Sequence, residues 1–212
     1  MRAQLTKSLV TFSGCLAIVT AGCGEYARQG SAPVQVVIDS LSAASGAQPE
    51  DFGSTLHSDV VTVVRRTQGG QQVDVSTIFN DIGQVTMRLI LKDPGMPGAP
   101  TVASPINGVT FTRYRVSYRR ADGRNTPGVD VPFPFDSAST FTVPSAGTVT
   151  ASFDIVRHTA KEEAPLASLV FNNNVFITTL AEVQFFGKDQ AGHDVTATGT
   201  IGITFANFGD PT

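Results

Sequence analysis

The sequence predicts an all-β protein, a single antiparallel β-sandwich of about eight or nine strands with at most one short helix. Three observations carry that expectation. Val and Thr number 24 each against 10 Leu and 4 Lys, the usage of pleated surfaces rather than of helices. Twenty Gly and 12 Pro punctuate the chain, as turns between strands require. The C-terminal arm alternates apolar and polar residues with period two, which buries one face and wets the other. At 212 residues the chain has the length of one domain, and a core of that size folds without a disulfide or metal staple. Fifteen basic residues against 18 acidic ones give a net charge of −3, without the polybasic footprint that a phosphate backbone demands, so nucleic acid is excluded as a partner.

Alternation and turn punctuation place the strands in order. The first covers residues 34–40 and leads into a loop ending in Pro49-Glu50-Asp51-Phe52-Gly53. The second covers 59–65; a polar excursion with Gly69-Gly70 and a weaker strand near 73–78 follow. Residues 84–92 form a strand stopped by Asp93-Pro94-Gly95. Pro97, Pro100 and Pro105 then exclude both helix and central strand, leaving a loop over 96–107. The strand at 109–120 breaks at the turn dipeptide Asp122-Gly123. Residues 129–135 carry Pro132 and Pro134 at alternate positions. Proline cannot donate to a ladder, so this strand is placed at a sheet edge with Phe133 and Phe135 inward. Strands at 139–143 and 147–157 flank Pro144-Ser145-Ala146. One short helix is expected within 160–172, with Pro165 in its first turn and Leu166, Leu169 and Val170 facing the core.

The last two strands, 180–188 and 194–205, flank the turn Asp189-Gln190-Ala191-Gly192-His193. Val195, Ala197, Ile201, Ile203 and Phe205 share one face, and Thr196, Thr198, Thr200 and Thr204 the other. Over residues 180–206 this pair resembles the closing strands of bacterial immunoglobulin-like and fibronectin-type-III-like domains, in which a D-x-x-G turn precedes an alternating Thr/Val strand. The resemblance implies an immunoglobulin-like sandwich over 33–212 and supplies no catalytic or binding residue. The lack of a cysteine pair and of any Trp sets the chain apart from antibody domains.

The N-terminus reads as an address. Arg2 and Lys7 precede an uncharged stretch, 8–22, that is too short and too interrupted to span a bilayer. The run Val19-Thr20-Ala21-Gly22-Cys23 resembles the bacterial lipoprotein lipobox, with Thr20 where leucine is usual. That resemblance implies a signal peptide over 1–22 and a lipidated Cys23 as the first mature residue. Cysteine usage agrees, because Cys15 lies in the segment to be removed and the 189 residues after Cys23 contain no other. A multiply acylated cysteine is sufficient to hold a protein at a membrane. Gly24 stands where an inner-membrane retention signal would commonly be Asp, so the resemblance to Gram-negative lipoproteins implies the outer membrane. Residues 23–32, polar and small, read as a flexible tether.

Signals for chemistry are sparse. His57, His158 and His193 form no H-x-H, H-x-x-x-H or H-E-x-x-H spacing, so no metal site is expected. No G-x-S-x-G elbow, phosphate loop or dinucleotide fingerprint is present, so no catalytic residue and no cofactor is expected. Asp189, Gly192 and Asp194 lack the density of a calcium loop and read as a hairpin turn. Arg113, Arg115 and Arg119 fall on one face of a strand, with Tyr114, Val116 and Tyr118 on the other. A row of guanidinium groups can grip carboxylates or phosphates bidentately; the plainer alternative is a solvated face with cross-strand Asp or Glu partners. Phe133 and Phe135 offer either an exposed apolar strip or inward edge-strand residues. The three Tyr and absent Trp disfavour a carbohydrate-stacking platform.

The resulting expectation is an exported, lipid-anchored cell-envelope protein, periplasmic or surface-facing. Its sandwich would act as a non-catalytic binding or structural module, with the membrane, an envelope protein or an anionic polymer as partner. The alternative is an envelope hydrolase with a dispersed site, which needs a pocket gathering a histidine beside a serine or carboxylate.

Overall fold

The computed structural model describes residues 31–172 and 174–208. The expected signal peptide, Cys23 and the tether as far as residue 30 lie outside the described residues. Two sheets face one another. One has three strands in the order β1 (Val34–Ala44), β5 (Asp81–Leu91), β10 (Thr148–Val156). The other has five, in the order β2 (Thr55–Asp59), β12 (Asp194–Ala206), β11 (Ile177–Asp189), β8 (Val109–Arg119), β9 (Phe135–Val143). A separate hairpin joins β3 (Thr62–Gln68) to β4 (Gln71–Thr77), and a two-residue pairing joins β6 (Gly95–Met96) to β7 (Ala99–Pro100). The all-β sandwich is thus the architecture of the described chain.

The alternation that places the C-terminal hairpin also sets its register. Ile177 pairs with Phe205 and Lys188 with Asp194, so the inward set of each arm meets the inward set of the other. Val183, Phe185, Ile203 and Phe205 are fully buried. They join Phe111, Tyr114, Val116 and Tyr118 from β8 and Val85, Met87, Phe153 and Ile155 from the opposite sheet in one core. Most of these aromatic rings meet edge to face, with Phe153 and Phe185 centroids 5.2 Å apart at 89°. Gly83 on β5 is required here, because a Cβ would sit 2.5 Å from the Phe153 ring.

Three segments differ from the sequence expectation. The run 59–65 is not one strand. It breaks at Val60-Val61 into β2, which joins the five-stranded sheet, and β3, which leaves for a hairpin of its own. β2 also runs parallel to β12, from Thr55 beside Gly202 to Asp59 beside Ala206, so the sandwich is antiparallel except at this edge. Residues 129–134 form no strand. Thr126 and Val131 carbonyls collect the backbone N–H groups of a compact loop, and the strand starts only at Phe135, after the second proline. The prolines therefore end a loop instead of lining an edge; Phe135 is buried while Phe133 is half exposed and covers Gly128. The expected helix is two short pieces, α1 (His158–Glu162) and a 3-10 turn at Leu166–Leu169. Leu166 and Leu169 are buried and Val170 packs against the core, as their spacing predicts.

The strands give the sandwich two distinct ends. The entry end holds Pro33, whose carbonyl accepts from Lys92 N–H, the 92–108 connection, and the β11–β12 turn, since Val109 pairs with Asp189. The far end holds the 120–134 loop, α1 and the 170–176 segment. Ala32 is already part of the core.

Candidate functional site

The outer face of the five-stranded sheet carries the arginine row. Tyr114, Val116 and Tyr118 point into the core, so Arg113, Arg115 and Arg119 point outward, as the alternation requires. Each meets a carboxylate on a neighbouring strand. Asp136 on β9 accepts from both Arg113, at 3.0 Å, and Arg115, at 3.2 Å, while Glu182 on β11 accepts from Arg119 at 3.1 Å. Arg113 also lies 4.1 Å over the Phe186 ring. Three guanidinium groups share two carboxylates, leaving one positive charge in excess, and every pair is partly solvated. Arg120 and Arg124 converge on Asp122 in the adjoining turn, which holds that carboxyl well below its ordinary range.

Beside Arg113 a shallow cleft of about 420 Å³ runs to the β11–β12 turn, lined by Thr110, Phe186, Lys188, Asp189 and Asp194 among others. The turn is internally satisfied. Asp189 accepts from the backbone N–H groups of Ala191 and His193 and pairs with His193 Nδ1 at 2.7 Å, while Lys188 binds Asp194 at 2.6 Å. Gly192, at φ +88°, makes the tight reversal possible. Burial would raise the Asp189 carboxyl, but the His193 ring and the backbone donors outweigh it and hold the group below its ordinary value. Both carboxylates of the turn, Asp189 and Asp194, are thus already engaged. Among the described residues no cluster of three or more His, Cys, Asp or Glu is arranged to hold a metal ion.

The histidines stay apart. His57 lies edge-on to Phe208, His158 Nδ1 meets Asn80 Oδ1 at 2.9 Å, and His193 belongs to the turn at the entry end. His193 with Asp189 has the base-and-orienter half of a triad. Among the described residues, however, no hydroxyl or thiol is hydrogen-bonded to its other ring nitrogen.

One polar cluster is absent from the sequence reading. Lys161 of α1 is 1% exposed and donates to Asp81 Oδ1 and to the Asp59 carbonyl, each at 2.8 Å. Asp81, fully buried, also accepts from Ser58 Oγ at 2.5 Å and from Gly46 N–H at 2.9 Å. Asp59 in turn accepts from Thr62 Oγ1 and from Phe208 N–H. Burial pushes the Asp81 carboxyl upward, against the pull of Lys161, Ser58 and Gly46. The cluster clasps α1, β2, β5 and the chain after β12 together, and its polar atoms are spent on one another. The phase of the strands was the signal for it. On β5 the inward positions are Asp81, Gly83, Val85 and Met87, so Asp81 falls on the core face by simple alternation, as Ser58 does with Leu56 on β2.

Among the described residues no helix is long and apolar enough to cross a membrane. Large apolar side chains do stand exposed at both ends: Met96, Val102 and Ile106 at the entry end, and Val129, Phe133, Phe171, Val175, Phe176 and Leu180 at the far end. No family model, curated protein or solved structure matches the chain.

Proposed function

We propose that this chain is an exported, lipid-anchored protein of the cell envelope whose sandwich serves as a non-catalytic docking module for another envelope protein. The observation that carries the reading is the far end, where Phe171 is 91% and Phe176 66% exposed in the stretch that leads to β11, and Leu180 within β11 is half exposed. Monomeric soluble proteins seldom leave several large apolar side chains so exposed at one end without a use for them. Supporting the non-catalytic part, among the described residues neither His57 nor His158 is hydrogen-bonded to a serine or carboxylate, and His193, which does pair with the Asp189 carboxylate, has no hydroxyl or thiol bonded to its other ring nitrogen. The strand order supports an immunoglobulin-like sandwich. If β1, β5 and β10 are taken as strands A, B and E, then β12, β11, β8 and β9 follow as G, F, C and C′.

The lipid anchor rests on the lipobox-like run ending at Cys23, and it implies the outer membrane through Gly24. Phe171→Ser with Phe176→Ser tests the docking role. The expected result is that in-cell crosslinking of the wild type yields a higher-mass adduct that the variant loses, with thermal unfolding of the two alike. A wild type that forms no adduct and sediments from membrane extracts as a free monomer would overturn the docking role.

A further inference from the structure

We infer that the loop 92–108 is a membrane-contacting surface that seats the entry end of the sandwich on the lipid bilayer carrying the anchor; this rests on the proposed lipidation of Cys23. Two independent features point to lipid as the occupant. The first is reach. Cys23 and Ala32 are nine chain steps apart, at most about 32 Å when fully extended. Phe176 and Asp189 are separated by thirteen steps, twelve of them within β11, which at ~3.3 Å each is about 43 Å. An acylated Cys23 therefore keeps the entry end near the bilayer, and the tether is too short for the sandwich to stand inverted on its far end.

The second feature is the loop itself. Met96, Val102 and Ile106 are 75%, 80% and 63% exposed. Local hydrogen bonds give the loop a shape that holds these side chains out. Gly95 N–H donates to Asp93 Oδ1, Thr101 N–H to the Pro94 carbonyl and Ser104 N–H to Asn107 Oδ1, and Gly108 N–H caps the 3-10 turn that bears Ile106. These bonds fix part of the loop's backbone, and the headgroup boundary, unlike the bilayer core, offers polar partners to the remaining groups. The carboxylates at this end are likewise engaged: Asp93 by Gly95, Asp189 by His193 and Asp194 by Lys188.

The test uses the full-length, acylated protein in vesicles of phosphatidylethanolamine and phosphatidylglycerol containing nitroxide-labelled lipid. Met96→Cys and, separately, Phe171→Cys each introduce one reactive thiol for a fluorophore, since Cys23 is blocked by its acyl chains. The expected result is several-fold stronger quenching by nitroxide lipid at position 96 than at position 171, and the reverse order with aqueous iodide. Equal, weak lipid quenching at both positions overturns the membrane-contacting loop, as does stronger lipid quenching at 171. A reporter at 96 shielded from both lipid and iodide also overturns it, because protein and not lipid then covers the loop. Intact mass on the same samples separates the two claims. Without acyl mass the anchor itself fails; with acyl mass and no quenching at 96, only the seating fails.

Discussion

Lys161→Met removes the ammonium from the buried clasp and leaves a side chain of similar length. Two donor contacts of 2.8 Å disappear, and Asp81 keeps only Ser58 Oγ and Gly46 N–H in a site with no solvent access. Breaking one partner out of a buried ion pair costs roughly 3–5 kcal/mol, because the remaining charge stays uncompensated. For a domain of this size each kcal/mol moves the Tm by about 2–4 °C, so a fall of roughly 6–20 °C is expected. The pH dependence separates charge from packing. Burial already raises the Asp81 carboxyl, and loss of Lys161 removes its main opposing pull, so the carboxyl rises further in the variant. A carboxyl whose folded pKa lies above its unfolded value takes up a proton in the folded state first. Stability then increases as the pH falls through the folded value towards the unfolded one. The deficit of the variant relative to wild type, measured by urea unfolding, should therefore shrink as the pH is lowered from 7 towards the unfolded carboxyl value. Adding Asp81→Asn to Lys161→Met should recover most of the loss at pH 7. A deficit below about 1 kcal/mol, or one that grows on acidification, would refute the clasp as the fastening of α1 to the sandwich.

Gly83→Ala places a methyl 2.5 Å from the Phe153 ring, which Phe185 and Tyr114 hold on its other sides; a loss of about 1–3 kcal/mol in urea unfolding is expected. The Asp189 carboxyl sits below its ordinary value, so its contribution is complete above the unfolded pKa of about 4 and fades as the pH falls through the folded value. Asp189→Asn should therefore cost roughly 1 kcal/mol at pH 7 and progressively less below pH 4, as read by acid-titrated unfolding. Arg113→Ser, Arg115→Ser and Arg119→Ser together should cost less than about 1 kcal/mol per partly solvated pair. The same triple variant should lose retention on immobilised polyphosphate if the excess charge of that face binds an anionic polymer; unchanged retention would remove the arginine face from consideration.

The C-terminal hairpin was readable because every second residue from Val195 to Phe205 is apolar or glycine, and a one-residue slip would turn that whole face to water. The arginine row was readable for the same reason, and carboxylate partners across the strands were expected in kind, but not Asp136 or Glu182 by position. Alternation says which face a residue takes but not which strand lies beside it. For that reason the 59–65 run concealed a passage between two sheets, and the parallel pairing of β2 with β12 had no local signature. Pro132 and Pro134 misled through their spacing, since proline at alternate positions suits an edge strand and a loop equally well. Lys161 was invisible because lysine normally extends into water. Its burial depends on a carboxylate eighty residues earlier in the chain.

The account stands most directly on Cys23. Intact mass of the protein extracted from its native membrane, compared with a Cys23→Ala variant, measures whether the chain is anchored. A wild type that begins at Cys23 and carries acyl mass, with the variant released or left unprocessed, is the predicted result. A wild type without acyl mass would contradict it, and with it the placing of the entry end against a bilayer.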